Sequence, residues 1–228
     1  YCKHNIANVI PISRSFFKLK EILSQFKIQV ESTSVIVCLA EAPGGFIQCL
    51  RDIGDMEIHG ITLVSKDKKI PYWNRFLQTD PHLKFHVGVT GDGDLYHFGN
   101  MLSFIRGIGL HTADLITGDG GFDNSGDYNN QEDNSFPLIY AEIYLTLYLQ
   151  KKGGVFVCKL FDTFEERTIR ILDILRRCYR RISFYKPCLS RISNSEKYVV
   201  CLGYLGCPVD LLNEMTHHFQ DHHLQNKV

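Results

Sequence analysis

The sequence has no long hydrophobic run and no excess of charge of either sign. Its 25 basic and 25 acidic residues give a formal net charge of +0. Charge balance therefore does not imply a nucleic-acid partner, and any such binding must rest on a local basic patch. No apolar segment approaches the length of a membrane span and no signal peptide is visible, so the sequence predicts no membrane association.

The eight cysteines include no C-x-x-C pair. Three of them, Cys38, Cys158 and Cys201, lie within apolar runs that are typical of buried strands. Buried free thiols in a reducing compartment therefore fit this chain better than a disulfide framework.

Hydrophobic periodicity predicts strands that alternate with helices. Strands are predicted at 35–40, 58–64, 84–89, 114–118, 155–161, 182–185 and 198–204, and helices at 13–26, 47–53, 97–107, 135–152 and 164–179. The polar segment 124–134 predicts a surface loop. Strands joined by helices indicate an α/β fold with a doubly wound, mostly parallel seven-stranded sheet, whose last two strands can pair antiparallel.

We expect a single domain over residues 1–228. A helical segment would occupy residues 1–30 and a helical tail residues 208–228. Because the chain starts with tyrosine rather than methionine, it is expected to be an excised domain or a processed segment of a polyprotein.

A glycine-rich turn, LAEAPGGF at 39–46, separates the first predicted strand from the helix that follows. Such a turn lets backbone N–H groups approach a ligand at a helix N-terminus, where negative charge is favoured. Pro43 would stiffen the turn, and Gly44 and Gly45 would admit the ligand. A tight turn without a ligand is the alternative, because this pattern alone is weak.

Three further segments carry polar residues inside or beside apolar strands. They are TADLITGDGG at 112–121, GGVFVCKLF at 153–161 and SRISNSEKYVVCLGY at 190–204. Asp119 before two glycines could serve turn chemistry alone. Lys159 and Glu196 are harder to explain in this way, because charged residues within apolar runs are rarely buried without a partner.

Together these segments resemble the FtsJ-like family of ribose 2′-O-methyltransferases, from SRSFFKL at 13–19 to SEKYVV at 195–200. The resemblance implies a Rossmann-like class I methyltransferase fold, S-adenosylmethionine as the cofactor, and a Lys-Asp-Lys-Glu tetrad. By position, the tetrad corresponds to Lys18, Asp119, Lys159 and Glu196. The resemblance is closer to viral and eukaryotic mRNA-cap enzymes, notably the cap-2 type, than to bacterial rRNA enzymes. The segments that show this are EAPGGFI, GDGG, SGDYNNQE and PCLSRISNSEKY.

The chemistry of the residues agrees with this resemblance. A ribose hydroxyl is a poor nucleophile at neutral pH, so its proton must leave as it attacks a methyl group. A lysine can accept that proton only where burial or a neighbouring cation favours its neutral form. Lys159 is the predicted base, Lys18 the second cation, and Asp119 and Glu196 would orient the ammonium groups. Lys18 as a solvated helix residue is the alternative.

The cofactor is expected over the C-terminal ends of the first four strands. Its predicted contacts are Glu41, Ala42, Pro43, Gly44, Gly45, Phe46, Asp92, Asp94, Leu95 and Asp119. Many family members have an acidic residue where this chain has Cys38, and Glu41 follows three positions later. By resemblance, Asp94 in the GDGD segment bonds the adenine amino group, although both aspartates could simply build a turn. Asp67 is a candidate contact for the cofactor ribose.

RNA contacts are predicted from local features. Tyr128 could stack on a base, Arg191 could hold a phosphate, and the acceptor ribose could be held by Ser190, Asn194 and Ser195. An arginine cluster between 167 and 181 suits phosphate binding or forms a solvated helix face. The tail at 217–223 has histidines at a metal-like spacing, but a polar terminal helix is the preferred interpretation.

The sequence thus predicts an S-adenosylmethionine-dependent RNA ribose 2′-O-methyltransferase that acts on the 5′ cap region of mRNA, from a viral polyprotein. Expected partners are capped RNA and other capping or replication domains, in the cytoplasm at a viral replication site or, for a cellular homologue, in the nucleus. The alternatives are an rRNA or internal-site 2′-O-methyltransferase and a catalytically silent RNA-binding module of a capping complex.

Overall fold

Strands and helices alternate along the chain, as the sequence predicts. The computed structural model describes residues 8–121 and 130–225, with the side chains of the last helix described up to residue 219. The strands are β1 (Val35–Leu39), β2 (Glu57–Ile61), β3 (Leu83–His86), β4 (Ala113–Gly118), β5 (Gln150–Leu160), β6 (Tyr179–Tyr185) and β7 (Lys197–Tyr204). The helices are α1 (Ser15–Phe26), α2 (Gly45–Arg51), α3 (Arg75–Gln78), α4 (Phe98–Ile108), α5 (Gln131–Leu149), α6 (Glu166–Cys178) and α7 (Val209–Gln225).

The described strands form one seven-stranded sheet in the order β3-β2-β1-β4-β5-β7-β6. Strand β7 pairs antiparallel with both neighbours, and the other pairings are parallel. This arrangement confirms the predicted α/β fold class and its antiparallel last strand. The strand order reverses between β1 and β4, where Leu39 lies opposite Gly118. The turns that follow these two strands therefore meet at a topological switch point, the usual place for a ligand in such sheets.

The sheet is covered by helices on both faces. Along β1, Ile36 and Cys38 pack towards α1 and α2, whereas Val37 and Leu39 pack towards the cluster that contains α4 and α5. This alternation follows from the two-residue period of a strand. On β5 the same period places Val157 on the α1 face and Cys158 on the α5 face. Lys159 therefore faces α1.

Some boundaries differ from the prediction. The predicted loop at 124–134 extends too far, because α5 begins at Gln131. Its polar first turn is stabilised by contacts distant in sequence: Glu132 accepts hydrogen bonds from the backbone N–H groups of Phe164 and Glu165, both at 3.0 Å. Carboxylates are also favoured at a helix N-terminus. Strand β6 begins three residues earlier than predicted, and the short helix α3 was not predicted.

The predicted thiols Cys38, Cys158 and Cys201 are free and buried. Among the described residues, no helix combines the length and apolar character needed to cross a membrane.

A histidine pair on β2 and β3, with His59 buried and His86 half-buried, is expected to make the fold sensitive to acid. His59 Nδ1 lies 3.0 Å from His86 Nε2, and the two rings stack. Burial lowers the pKa of both imidazoles from the ordinary value of 6.5, that of His86 to about 4. Because the unfolded chain then binds more protons, the stability from this pair is present above pH 6.5 and is lost as the pH falls towards about 4.

Urea unfolding midpoints measured at pH values between 6.5 and about 4 test this expectation. The variant His86→Asn should lose less stability on acidification than the unmodified chain. His82→Asn is the matched control, because His82 is exposed just before β3. An equal loss in all three proteins would show that the pair is not the source.

Candidate active site

Four charged side chains meet at the C-terminal ends of β4 and β5. Asp119 directly follows β4, and Lys159 is the second-last residue of β5. They come together because the two strands are parallel, with Gly118 opposite Cys158. Glu196 directly precedes β7, and Lys18 is brought from α1. The structure therefore places all four residues of the predicted tetrad in two ion pairs.

The first pair joins Lys159 and Asp119. Lys159 Nζ donates a hydrogen bond to the backbone oxygen of Asp119 at 2.8 Å and lies 3.3 Å from its Oδ1. The Tyr198 hydroxyl donates to the same Oδ1 at 2.8 Å. The two charged side chains are only 9% and 12% exposed, so water screens this pair weakly.

The second pair joins Lys18 and Glu196, whose side chains are each 11% exposed. Lys18 Nζ donates to Glu196 Oε1 at 2.6 Å, and Ser190 Oγ donates to the same oxygen at 2.7 Å. Burial alone would raise the pKa of Glu196, but these two hydrogen bonds outweigh it and hold that pKa below its ordinary value. Glu196 is therefore an anion at neutral pH.

The two pairs act on one another. The positive charge of Lys159 also lowers the pKa of Glu196, and Tyr198 lies close to both carboxylates. The result is a largely enclosed group of two ammonium and two carboxylate side chains. Chemically, such a group can place one amine beside a substrate hydroxyl while the other cation and both anions fix its orientation.

Glu41, in the turn after β1, is the most unusual carboxyl of this region. It is 3% exposed, and neither of its oxygens has a hydrogen-bond partner among the described residues. Burial raises the pKa of Glu41 well above its ordinary value; the side chains of Thr117 and Cys38 oppose this rise, and the nearby carboxylates of Asp119 and Glu142 add to it. A buried carboxyl without donors is costly, so this position is suited to a ligand that brings a donor or a positive charge.

The two glycines of the turn have a packing role, beside the predicted role in admitting a ligand. A Cβ at Gly44 would lie 2.3 Å from Leu77 Cδ1, and a Cβ at Gly45 would lie 2.2 Å from Ser13 Oγ and Ser15 Oγ. Gly44 also has a φ of 104°, which favours glycine. Both glycines are thus required by the packing of the chain on itself. The Ala42–Pro43 peptide bond is cis.

Two predicted ligand contacts have side chains in the core. Phe46 is 0% exposed and packs near Tyr198, and Leu95 is 4% exposed. Both side chains are packed in the core, and the contact of these two residues with the cofactor stays a prediction. An apolar residue next to a motif looks the same in sequence whether its side chain faces the ligand or the core.

The GDGD segment forms a turn, which is one of its two predicted roles. Asp92 builds the turn, because its Oδ1 accepts hydrogen bonds from Thr90 Oγ1, Asn100 Nδ2 and the backbone N–H of Asp94. Asp94 Oδ1 accepts the N–H of Tyr96 at 2.8 Å, and among the described residues no hydrogen bond to its other carboxylate oxygen is found. Of the two, Asp94 remains the candidate contact.

The predicted RNA contacts lie mainly in the loop before β7. Ser190 is 6% exposed and already donates to Glu196, so it supports the tetrad rather than offering a free hydroxyl. Asn194 Oδ1 accepts the N–H of Glu196 at 2.9 Å, and Ser195 Oγ donates to Gln131 Oε1 at 3.5 Å. Arg191 is exposed. Tyr128 lies outside the described residues.

Three arginines of the cluster form ion pairs with acidic side chains of the same chain. The pairs are Arg167–Asp133, Arg170–Glu166 at 2.6 Å and Arg176–Asp173 at 2.9 Å. Their arginine side chains are 44%, 77% and 67% exposed, which favours a solvated helix face for these three. No group of His, Cys, Asp and Glu among the described residues is arranged to hold a metal ion; the side chain of His222 is outside that set.

Two residues of the site were not predicted. Tyr198 could have been found, since it lies two positions after Glu196 and alternate residues of a strand share a face. Glu142 is 1% exposed on α5, and a carboxylate inside an apolar helix run was the available signal.

Comparison with known proteins gives a consistent result. The family described as FtsJ-like methyltransferase matches residues 11–204. The cap-specific mRNA (nucleoside-2′-O-)-methyltransferase 1 of Trypanosoma brucei brucei is 30% identical over 212 residues, which cover 91% of this chain and 57% of that protein. The cap-specific mRNA (nucleoside-2′-O-)-methyltransferase 2 of Danio rerio is 31% identical over 211 residues, which cover 84% of this chain and 28% of that protein.

This chain therefore spans 57% and 28% of the length of those two curated relatives. Among solved structures, one from Plasmodium falciparum described as a ribosomal RNA methyltransferase superposes with a TM-score of 0.61. It is 20% identical and the match covers 85% of this chain and 98% of that chain. At this identity the likeness shows the fold alone.

Proposed function

The chain belongs to the FtsJ-like methyltransferase family, and from this premise we propose that it transfers a methyl group from S-adenosylmethionine to a ribose 2′-hydroxyl of RNA. The observation that carries the proposal is the two buried ion pairs, Lys159–Asp119 and Lys18–Glu196, at the C-terminal ends of β4 and β5. A binding module would have no need to enclose four charges at such a cost in desolvation.

We propose that the acceptor lies in the 5′ cap region of mRNA. The curated relatives named above are cap-specific mRNA methyltransferases, and their similarity extends over 91% and 84% of this chain. The sequence segments around EAPGGFI and NSEKY resemble those of mRNA-cap enzymes and support the same substrate class.

In this proposal Lys159 accepts the proton of the attacking hydroxyl. Its ammonium and amine forms are both held in place by Asp119, whose own carboxylate is oriented by the Tyr198 hydroxyl. Lys18 supplies a second positive charge close by, and Glu196 fixes it. The contribution of these residues is proton removal and alignment for in-line displacement, and no covalent intermediate is required.

The residues present fit the cofactor. S-adenosylmethionine supplies an activated methyl group on a sulfonium centre, together with a methionine ammonium and an adenine amino group. The orphaned buried carboxyl of Glu41 suits the ammonium, and the other carboxylate oxygen of Asp94 suits the adenine amino group. Both residues lie after strands that end at the same edge of the sheet.

Cofactor binding gives the first test of these assignments. S-adenosylmethionine should raise the melting temperature of the chain without RNA, because a ligand that binds only the folded state stabilises it. Asp94→Ala should weaken binding about tenfold or more, since a hydrogen bond to a buried polar ligand group is lost. Thermal unfolding measures the first effect and titration calorimetry the second. Asp67→Ala, at the candidate ribose contact, should weaken binding less than Asp94→Ala, because Asp67 is exposed and accepts the nearby backbone N–H of Lys69.

If Asp67→Ala weakened binding as much as Asp94→Ala, the assignment of the adenine contact would be wrong. A folded sample with no melting shift at saturating ligand would contradict the cofactor itself.

A methyl-transfer assay on matched capped and uncapped RNAs tests the activity and the substrate. Labelled product should appear on capped RNA, and nucleoside analysis should find the methyl group on a ribose 2′-oxygen. Equal transfer to uncapped RNA would indicate an internal-site or rRNA enzyme. No transfer to any RNA, with the cofactor bound, would favour a silent module.

A further inference from the structure

Glu142 is a buried carboxyl that the mechanism above does not use. It lies on α5 with 1% exposure, among apolar neighbours that include Ile139, Ile143 and Leu145. Burying a carboxyl in such surroundings costs several kcal/mol unless its polar atoms find partners. Only one of its two oxygens has a hydrogen-bond partner among the described residues, and Oε1 has none. Hydrophobic packing therefore does not explain an acid at this position.

The carboxyl lies directly against the turn that carries Asp119. A Cβ at Gly118 would lie 2.6 Å from Glu142 Oε2, and a Cβ at Gly120 would lie 2.9 Å from Glu142 Oε1. A Cβ at Gly118 would meet the carboxyl first, whereas a Cβ at Gly120 would meet both Leu138 Cδ2, at 2.3 Å, and the carboxyl. The backbone on both sides of Asp119 thus rests on Glu142. On the other side of the same turn, Lys159 Nζ bonds the Asp119 carbonyl at 2.8 Å.

Glu142 also contacts the strand that carries the predicted base. Cys158 Sγ donates a hydrogen bond to Glu142 Oε2 at 3.2 Å, and Cys158 is the neighbour of Lys159 in β5. Because successive strand residues point to opposite faces, Cys158 faces α5 while Lys159 faces α1. Glu142 therefore acts on Lys159 from the far face of the sheet, through one turn and one strand.

We propose that Glu142 is a positioning residue for Lys159: its carboxyl holds the Gly118–Gly120 turn in place, and its ionisation changes the rate of methyl transfer. This inference rests on the proposed function. Its basis is the seating of both oxygens against the turn, together with the hydrogen bond from Cys158.

The charge state of Glu142 gives the sign of the effect. Burial raises the pKa of Glu142 to about 8, which Asp119 raises further and which Cys158 and Lys159 oppose. The other titratable groups that face it are Glu41 and Tyr96. The carboxyl of Glu142 is therefore mainly neutral below pH 8 and ionises in the alkaline range. A buried anion at this position interacts with the positive charge of the site, so its ionisation should act on the rate in that range.

Single-turnover methyl transfer, measured against pH, tests the proposal. In Glu142→Gln the midpoint of the rising limb should move to lower pH by about one unit, because an opposing charge is removed. Affinity for S-adenosylmethionine should stay within about twofold. If the unmodified chain methylates RNA and Glu142→Gln has the same midpoint, this inference is wrong and the proposed function is unaffected. An unmodified chain without activity would overturn the proposed function.

Two further variants separate charge from packing. Thr146→Val removes a buried hydroxyl one turn along α5, which donates to the Glu142 carbonyl at 2.8 Å, and changes no charge. It should keep the original midpoint, and a shift as large as that of Glu142→Gln would overturn the inference. Glu142→Asp keeps the acid but withdraws it from the turn, so the plateau rate should fall at least about tenfold. An unchanged plateau would overturn the positioning role, even if Glu142→Gln did not fold.

Discussion

Lys159→Ala is expected to lower methyl transfer by about 10²–10⁴-fold while cofactor affinity stays unchanged. The expected range is the usual contribution of a positioned general base. The loss belongs to the transition state, because Lys159 accepts a proton only as the hydroxyl attacks, so kcat should fall more than KM rises. The fold should persist, since Asp119 Oδ1 keeps the hydrogen bond from Tyr198. Single-turnover rates and calorimetric cofactor binding measure the two quantities.

Lys159→Arg distinguishes proton removal from positive charge. A guanidinium cannot release its proton at working pH, so this variant should be nearly as inactive as the alanine variant. Lys152→Arg is the matched control, because Lys152 is exposed on the same strand. An active Lys159→Arg protein would show that the site needs a cation there, and the role of Lys159 would then be to orient the substrate.

The fold could be predicted from the sequence because the signals for strands and helices are local and are repeated along the chain. Each strand is a short apolar run, and the helix periods between them leave little freedom in topology. The switch point follows from that topology, so the meeting of the turns after β1 and β4 could be expected. The start of α5 could not be predicted from the sequence, since its first turn is stabilised by hydrogen bonds that Glu132 accepts from residues more than thirty positions away.

The four residues of the tetrad could be picked out by resemblance, but their pairing could not. Whether Lys18 pairs with Glu196 or with Asp119 depends on how α1 packs beside β7, which no local pattern records. The hydrogen bond of Ser190 could not be predicted either. Ser190 was predicted to hold the acceptor ribose, and in the structure its hydroxyl donates to Glu196. Which partner each side chain contacts depends on the direction of that side chain, and this direction is set by the tertiary packing.

The Lys18–Glu196 pair allows catalysis and stability to be separated within one site. Lys18→Met should lower the free energy of unfolding by about 3 kcal/mol, because it leaves the buried Glu196 carboxylate without its cation. Lys20→Met is the matched control on the same helix. Lys20 pairs with Asp52 at 2.9 Å, but the two side chains are 57% and 40% exposed, so the loss should be below about 1 kcal/mol.

The double variant Lys18→Met, Glu196→Gln is expected to recover most of that stability, because no charge is left uncompensated in the interior. Its methyl transfer should nevertheless stay at least about 10²-fold below that of the unmodified chain, since the second cation and the anion that orients it are both gone. Urea unfolding at neutral pH and single-turnover rates on the same RNA give the two readouts. If activity returned together with stability, the pair would serve the fold alone, and the chemistry would rest on Lys159 and Asp119. Stability without activity would instead place Lys18 and Glu196 in the catalytic machinery.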